Sequence, residues 1–200
     1  MVYKGEKMKR KNFDKIVTSI GAALTVFLFV VAALANWGAT FAGDSVTSQL
    51  KAQLITLPAE TGNPDEPAEV TAFFKERGDK LMTTGKDAQM YADHYIAFHM
   101  AHMPTYAEAS GANRAAAAAL AANPNDATLK ADAAAKSATV ETVFKGNMLR
   151  GTLLTAYAFG TLGEIAGYVA LAGLIGGLLM LLLTIAGLVH IRRTPDSATI

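Results

Sequence analysis

Three of the chain's four histidines fall within nine residues, in the order Asp93-His94…His99…His102, interleaved with Met90, Met100 and Met103 and followed by Tyr106. Imidazole binds copper and zinc, and the methionine thioether suits reduced copper. On an α-helix at about 100° per residue, His102 falls about 80° and His99 about 140° from His94, so only His99 and His102 share a face. These two are the candidate metal ligands for copper or zinc, with a carboxylate or thioether contributed by another helix. The pair lacks an HExxH motif and a cysteine partner. The plainer reading, core and interface histidines beside gap-filling methionines, is preferred. Zero cysteines exclude a disulfide framework, a thiolate zinc site, an iron–sulfur cluster and a Cys nucleophile.

Glu164 is the one carboxylate in a long apolar stretch, and an intramembrane acid is a functional candidate by default. Its place four residues before Tyr168 puts it in the interfacial zone, where a salt bridge or hydrogen bond is the expected role. Gly163 and Gly167, then Gly173 and Gly177, repeat the small-xxx-small spacing that lets helix backbones meet in a membrane. These four glycines are expected to pack a helix against the first span, a second copy or another subunit.

The elements that must position these residues follow from where charge is absent. No Asp, Glu, Lys or Arg occurs from Ile16 to Gly43, and only Glu164 interrupts the stretch from Gly151 to Ile191. About twenty apolar residues at 1.5 Å each cross the ~30 Å hydrocarbon layer. Span one is therefore placed at 16–43 and span two at 168–190, with 151–167 an apolar helical stem. Lys4, Lys7, Lys9, Arg10, Lys11 and Lys15 precede the first span, and Arg192 and Arg193 follow the second. Both basic flanks, 1–15 and 191–200, belong on the cytoplasmic side. Trp37 and Tyr168 then fall at the outer headgroup level. A cleaved signal peptide is the alternative for the first span, with Ala33-Leu34-Ala35 or Phe41-Ala42 as its site, but the apolar run is longer than the usual signal core. The net charge of +1 carries no nucleic-acid signal.

Residues 44–150 read as an extracytoplasmic helical bundle. Val46, Leu50, Leu54 and Leu57 keep helical spacing beyond the first span, and the proline-rich acidic loop PAETGNPDEP, expected to be mobile, ends that run. A short helix carries Val70, Phe73 and Phe74. Thr84 with Asp87, and Thr105 with Glu108, have capping-box spacing and open helices over 85–103 and from 105 to Asn123. The alanine tracts are strong helix formers, and a last long helix starts near Asp126. The expected larger core residues include Phe73, Phe74, Tyr91, Tyr95, Phe98, Leu129, Val140 and Phe144. The fold class is all-α: two transmembrane helices with a helical bundle inserted between them.

The stretches QLKAQLITLP, TTGKDAQMYADHYIAFH, PTYAEASG and VETVFKGNMLRGTLLTAYAFGTLGEIAGYVALAGLIGG resemble a group of small two-span membrane proteins of actinobacteria. The resemblance implies this fold, this topology and a plasma-membrane location, and no activity. A related group of similar layout carries the label aromatic ring-opening dioxygenase. That label has no support in these residues, which offer no placeable facial triad of two histidines and a carboxylate. The expectation is a noncatalytic accessory or scaffolding subunit of a larger cell-envelope complex, such as a respiratory assembly or transporter. Its partners would be the lipid bilayer and other membrane subunits or further copies of itself, and not nucleic acid. The alternative is an extracytoplasmic ligand or metal sensor that signals through a partner. An enzyme is disfavoured, because no nucleophile–base pair or phosphate loop is present.

Overall fold

The computed structural model describes residues 8–200, so Lys4 and Lys7 of the basic tail lie outside the described residues. The chain is all-helical: α1 (Arg10–Ala52), α2 (Ala68–Arg77), α3 (Gly85–Met90), a π-helical segment (Tyr91–Ile96), α4 (Ala97–Met100), α5 (Tyr106–Ala122) and α6 (Ala127–Arg193). Among the described residues there is no strand; Thr56–Leu81 and Lys9–Thr199 are isolated bridges. Two compact units are distinguished, one holding the chain up to Ala42 with Leu162–Ile200, the other Gly43–Thr161.

In the first unit α1 and α6 pair antiparallel. A Cβ on Gly187 would meet the Thr18 side chain, one on Gly21 the Thr184 hydroxyl, one on Gly173 Leu28 and Ala32, and one on Gly167 Ala39. One series ascends while the other descends. Small and threonine side chains dominate this seam, with Thr18, Gly21, Thr25 and Ala32 on α1 and Ala170, Gly173, Gly177, Thr184 and Gly187 on α6, while Leu28, Phe29 and Met180 reach into it. Steps of three and four residues are those of a left-handed supercoil. The large apolar side chains point the other way, with Ile20, Phe27, Leu34, Leu171, Leu182 and Leu183 all more than half exposed.

The second unit builds its core from several short pieces. Val46 and Leu50 of α1, Leu57, Val70 and Phe74 of α2, Met82, Ala88, Met90, Ala92, Ile96 and Leu153 form one buried cluster. Both capping boxes are present: Thr84 accepts from the Asp87 N–H while Asp87 bonds back, and Thr105 and Glu108 do the same. Each satisfies two backbone donors that the first turn of a helix leaves unpaired. The Asp126 carboxylate caps α6, accepting from the Thr128 and Leu129 N–H groups at 2.8 and 3.1 Å.

Several sequence expectations are corrected here. Leu54 does not continue the helical repeat: α1 ends at Ala52, and Leu54 is exposed at φ 54°. Phe144 is not core but half exposed, because α6 turns its neighbour Val143 inward at that level. The expected single helix over 85–103 is broken by the π-helical segment and stops at Met100. The PAETGNPDEP loop has contacts its composition does not suggest: Thr61 is buried, and Glu66 lies 3.0 Å from His94.

Candidate functional site

Two places hold the residues that sequence singles out. In the first unit, Gly173 and Gly177 face α1, where a Cβ at Gly173 would stand 3.2 Å from the Ala32 Cβ and one at Gly177 2.9 Å from the Phe29 ring. Gly167 lies against Ala39, and Gly163 is buried. Sequence reasoning offered Gly21, with Ala22, Ala32 and Ala35, as the first span's small residues, and missed that the seam extends to Thr18, Thr25, Thr184 and Gly187. Their three-and-four spacing is present in the sequence, but threonine and glycine carry little weight on an apolar scale.

Trp37 and Tyr168 are 68% and 72% exposed, on helices whose neighbouring residues Ala39 and Gly167 touch, so both rings stand within a turn of one level. From Trp37 back to Ile16, and from Tyr168 on to His190, each helix rises about 32 Å at 1.5 Å per residue. That matches the ~30 Å hydrocarbon layer, and only 22% and 17% of the most apolar windows of α1 and α6 are buried within the chain. A core helix of a water-soluble protein would be mostly buried. Glu164 is exposed and makes no side-chain hydrogen bond or ion pair with another of the described residues.

The second place is the π-helical segment. A π-turn inserts one residue into an α-helix and is frequent at functional sites; here it changes which histidines share a face. His94 Nδ1 lies 3.0 Å from Glu66 Oε2, a carboxylate side chain only 7% exposed. Arg150 of α6 donates from Nη2 to Asp93 at 3.0 Å, while its Nε is buried without a partner among the described residues. The rings of Tyr91, Tyr95 and His99 form a ladder, with centroid separations of 4.9 and 4.3 Å. Burial, and then the neighbouring Tyr95, hold the Tyr91 phenol above its ordinary pKa.

His99 lies in the last turn of α4 and sets Nδ1 2.8 Å from the Tyr95 carbonyl, and His102 follows the helix in a turn and is exposed. With Nδ1–H donating to that carbonyl, His99 leaves Nε2 as a free acceptor close to Gly62. This is how many metal-binding histidines are held, but no group of three or more His, Asp or Glu capable of holding a metal occurs among the described residues. The methionines pack instead: Met90 is buried, and the Met100 thioether fills the place a Cβ on Gly146 would take.

Beside this segment stands an ion pair that sequence reasoning did not single out. Arg77 grips Asp87 with two bonds, Nε at 3.0 Å and Nη2 at 2.7 Å, and Asp87 also accepts from the Thr83 and Thr84 N–H groups. Burial pushes the Asp87 carboxyl up, but the Arg77 and backbone hydrogen bonds outweigh it and hold the carboxyl below its ordinary range. Only a capping role is legible in a T-x-x-D spacing; the arginine comes from ten residues away.

Fold and site together define an all-helical protein with two helices long and apolar enough to cross a membrane. No protein family, curated protein or solved structure shows significant similarity to the chain.

Proposed function

We propose that this is a two-span plasma-membrane protein whose paired helices anchor an extracytoplasmic helical platform, and that it serves as a noncatalytic accessory or scaffolding subunit of a larger membrane complex. The observation that carries the membrane reading is the division of α1 and α6 into a seam of Gly, Ala and Thr and an outer face of Leu, Ile, Val and Phe. In water that outer face would cost about 25 cal/mol for each Å² left exposed; in lipid it is the stable arrangement. Orientation rests on Arg10, Lys11, Lys15, Arg192 and Arg193 at one end of the pair and the Trp37–Tyr168 level at the other.

The platform reading is supported by how the polar groups of the second unit are used. Asp87 is held by Arg77, Asp93 by Arg150 and Glu66 by His94. Each pair ties a loop or helix to a neighbour, which stiffens the unit. Purification in mild detergent should bring down the same large partner in constant ratio; recovery of the lone chain under those conditions would count against a scaffolding role.

The π-helical segment favours a second reading, an extracytoplasmic ligand or metal sensor acting through a partner. Its motivation is the free Nε2 of His99 beside a local helix distortion. In the metal version, copper or zinc should bind in a stoichiometric ratio and be lost in His99→Ala or His102→Ala; absence of metal from protein purified without chelators would remove that version.

A further inference from the structure

We propose that the groove at the Asp14–His190 end of the helix pair binds an aminophospholipid, its ammonium on Asp14 and an acyl chain along Val17 and Gly187. The proposal rests on the membrane-spanning reading and adds a ligand to it.

Asp14 and His190 stand at the polar end of this groove, and Phe13, Val17, Ala186 and Gly187 line the rest. The Thr18 side chain packs where a Cβ on Gly187 would stand, so these two residues form the closed floor of the groove. Phe13 and Val17 are about half exposed, so the groove opens sideways to the surroundings of the helix pair, where acyl chains would lie.

The headgroup chemistry follows from Asp14. Its side chain is 16% exposed, and its neighbours are distant: His190 Nε2 at 3.6 Å and the Thr194 hydroxyl at 3.5 Å. Both are too long for strong hydrogen bonds. The lysine one turn earlier is already taken, since Lys11 pairs with Asp196 at 2.7 Å. Asp14 is therefore a carboxylate at the membrane edge with room for a better donor. A primary ammonium supplies three N–H groups on one positive charge, whereas a choline headgroup has the same charge and no N–H. Arg193, exposed three residues beyond His190, offers a cation for the adjoining phosphate. A purely anionic headgroup would meet Asp14 unfavourably.

The test uses the full-length protein in detergent, supplied with equal amounts of phosphatidylethanolamine, phosphatidylcholine and phosphatidylglycerol, with retained lipid counted by native mass spectrometry. The expected result is an ethanolamine-over-choline preference of about tenfold, the size of a charge-assisted hydrogen bond. Asp14→Asn should abolish the preference and Asp14→Glu should keep it. Equal retention of all three lipids, a preference for phosphatidylglycerol, or a preference unchanged in Asp14→Asn would overturn the proposal while leaving the membrane reading intact. A chain that stays in solution without detergent and retains no lipid would instead overturn the membrane reading. Should Asp14→Asn fail to fold, the headgroup preference of the unaltered protein and of Asp14→Glu still decides.

Discussion

Thr184 of α6 stands over Gly21 of α1, its hydroxyl oxygen 3.0 Å from where a Cβ at Gly21 would be, and Thr18 of α1 stands over Gly187 of α6 in the reverse sense. The two contacts make a reciprocal lock near one end of the helix pair. Thr25 satisfies its own hydroxyl on the Gly21 carbonyl at 2.8 Å, as threonines in membrane helices commonly do. The Thr184 hydroxyl has no conventional partner among the described residues; pressed against a glycine backbone, it is placed for the weak Cα–H···O contacts that recur between close helices.

The seam should therefore be sensitive to size while the outer face is not. Gly173→Leu has to displace Ala32 and the Leu28 carbonyl, and is expected to lower stability in detergent by about 1–3 kcal/mol. Gly38→Leu, with nothing within 4 Å of its Cβ position, should be neutral or stabilising, by up to about 1 kcal/mol. Thermal unfolding of the two variants in one detergent checks the contrast; equal effects would mean that the seam does not hold the helices together.

A similar contrast exists in the second unit. Gly85 lets the start of α3 press onto α6, where a Cβ would lie 3.2 Å from the Ala156 carbonyl and 3.3 Å from the Gly160 Cα. Backbone cannot give way as a side chain can, so Gly85→Ala should destabilise by about 1–3 kcal/mol. Gly111, in α5 with only the Arg114 guanidinium as near as 4.0 Å, should gain about 0.5–1 kcal/mol on replacement by alanine. Chemical denaturation followed by circular dichroism distinguishes the signs.

Acid should weaken the second unit through Asp87. The folded carboxyl lies below its ordinary value, so its contribution is complete above the unfolded-state pKa of about 3.9. That contribution is lost as pH falls through the unfolded value toward the lower folded one. Stability should be flat in this respect from neutrality to about pH 5 and decline below about pH 4. Asp87→Asn, which leaves the Arg77 charge unpaired beside a buried amide, should lose about 3 kcal/mol at neutral pH and flatten the acid decline. A variant that kept the wild-type acid profile would assign that decline to other carboxylates.

Much of this architecture is legible in the sequence wherever the cause is local. The two charge gaps mark α1 and α6, and T-x-x-D and T-x-x-E mark the starts of α3 and α5 because a capping box is made within four residues. The π-helical segment is not legible. One inserted residue is tolerated there because Asp93 finds Arg150 fifty-seven residues on and His94 finds Glu66 twenty-eight back. No window of neighbouring residues contains those partners. Phe144 has helical spacing with its neighbours, but spacing alone does not say which face is covered. The acidic loop looks mobile by composition, which does not show the tertiary contacts of Glu66 and Thr61. The threonine positions of the helix seam were readable and are easily overlooked, since their significance lies in size rather than in apolarity.

His94 should hold that loop rather than the fold as a whole. His94→Ala removes the partner of Glu66, leaving a shielded carboxylate that water can reach once the loop lifts. Proteolysis and amide exchange over residues 58–67 should accelerate by about tenfold, while global stability falls by no more than about 1 kcal/mol. Unchanged exchange in the loop would show that Thr61 and Leu57 suffice to pin it.

The proposed membrane hairpin is tested most directly by cysteine accessibility, which the absence of any native cysteine makes clean. Asn125→Cys, Phe27→Cys and Ser197→Cys sample the second unit, the outer face of α1 and the chain end. In intact cells a membrane-impermeant maleimide should label position 125, should reach position 197 only after permeabilisation, and should leave position 27 unlabelled in both states. Labelling of position 197 without permeabilisation, or of position 27 in either state, would contradict two crossings with the bundle held outside.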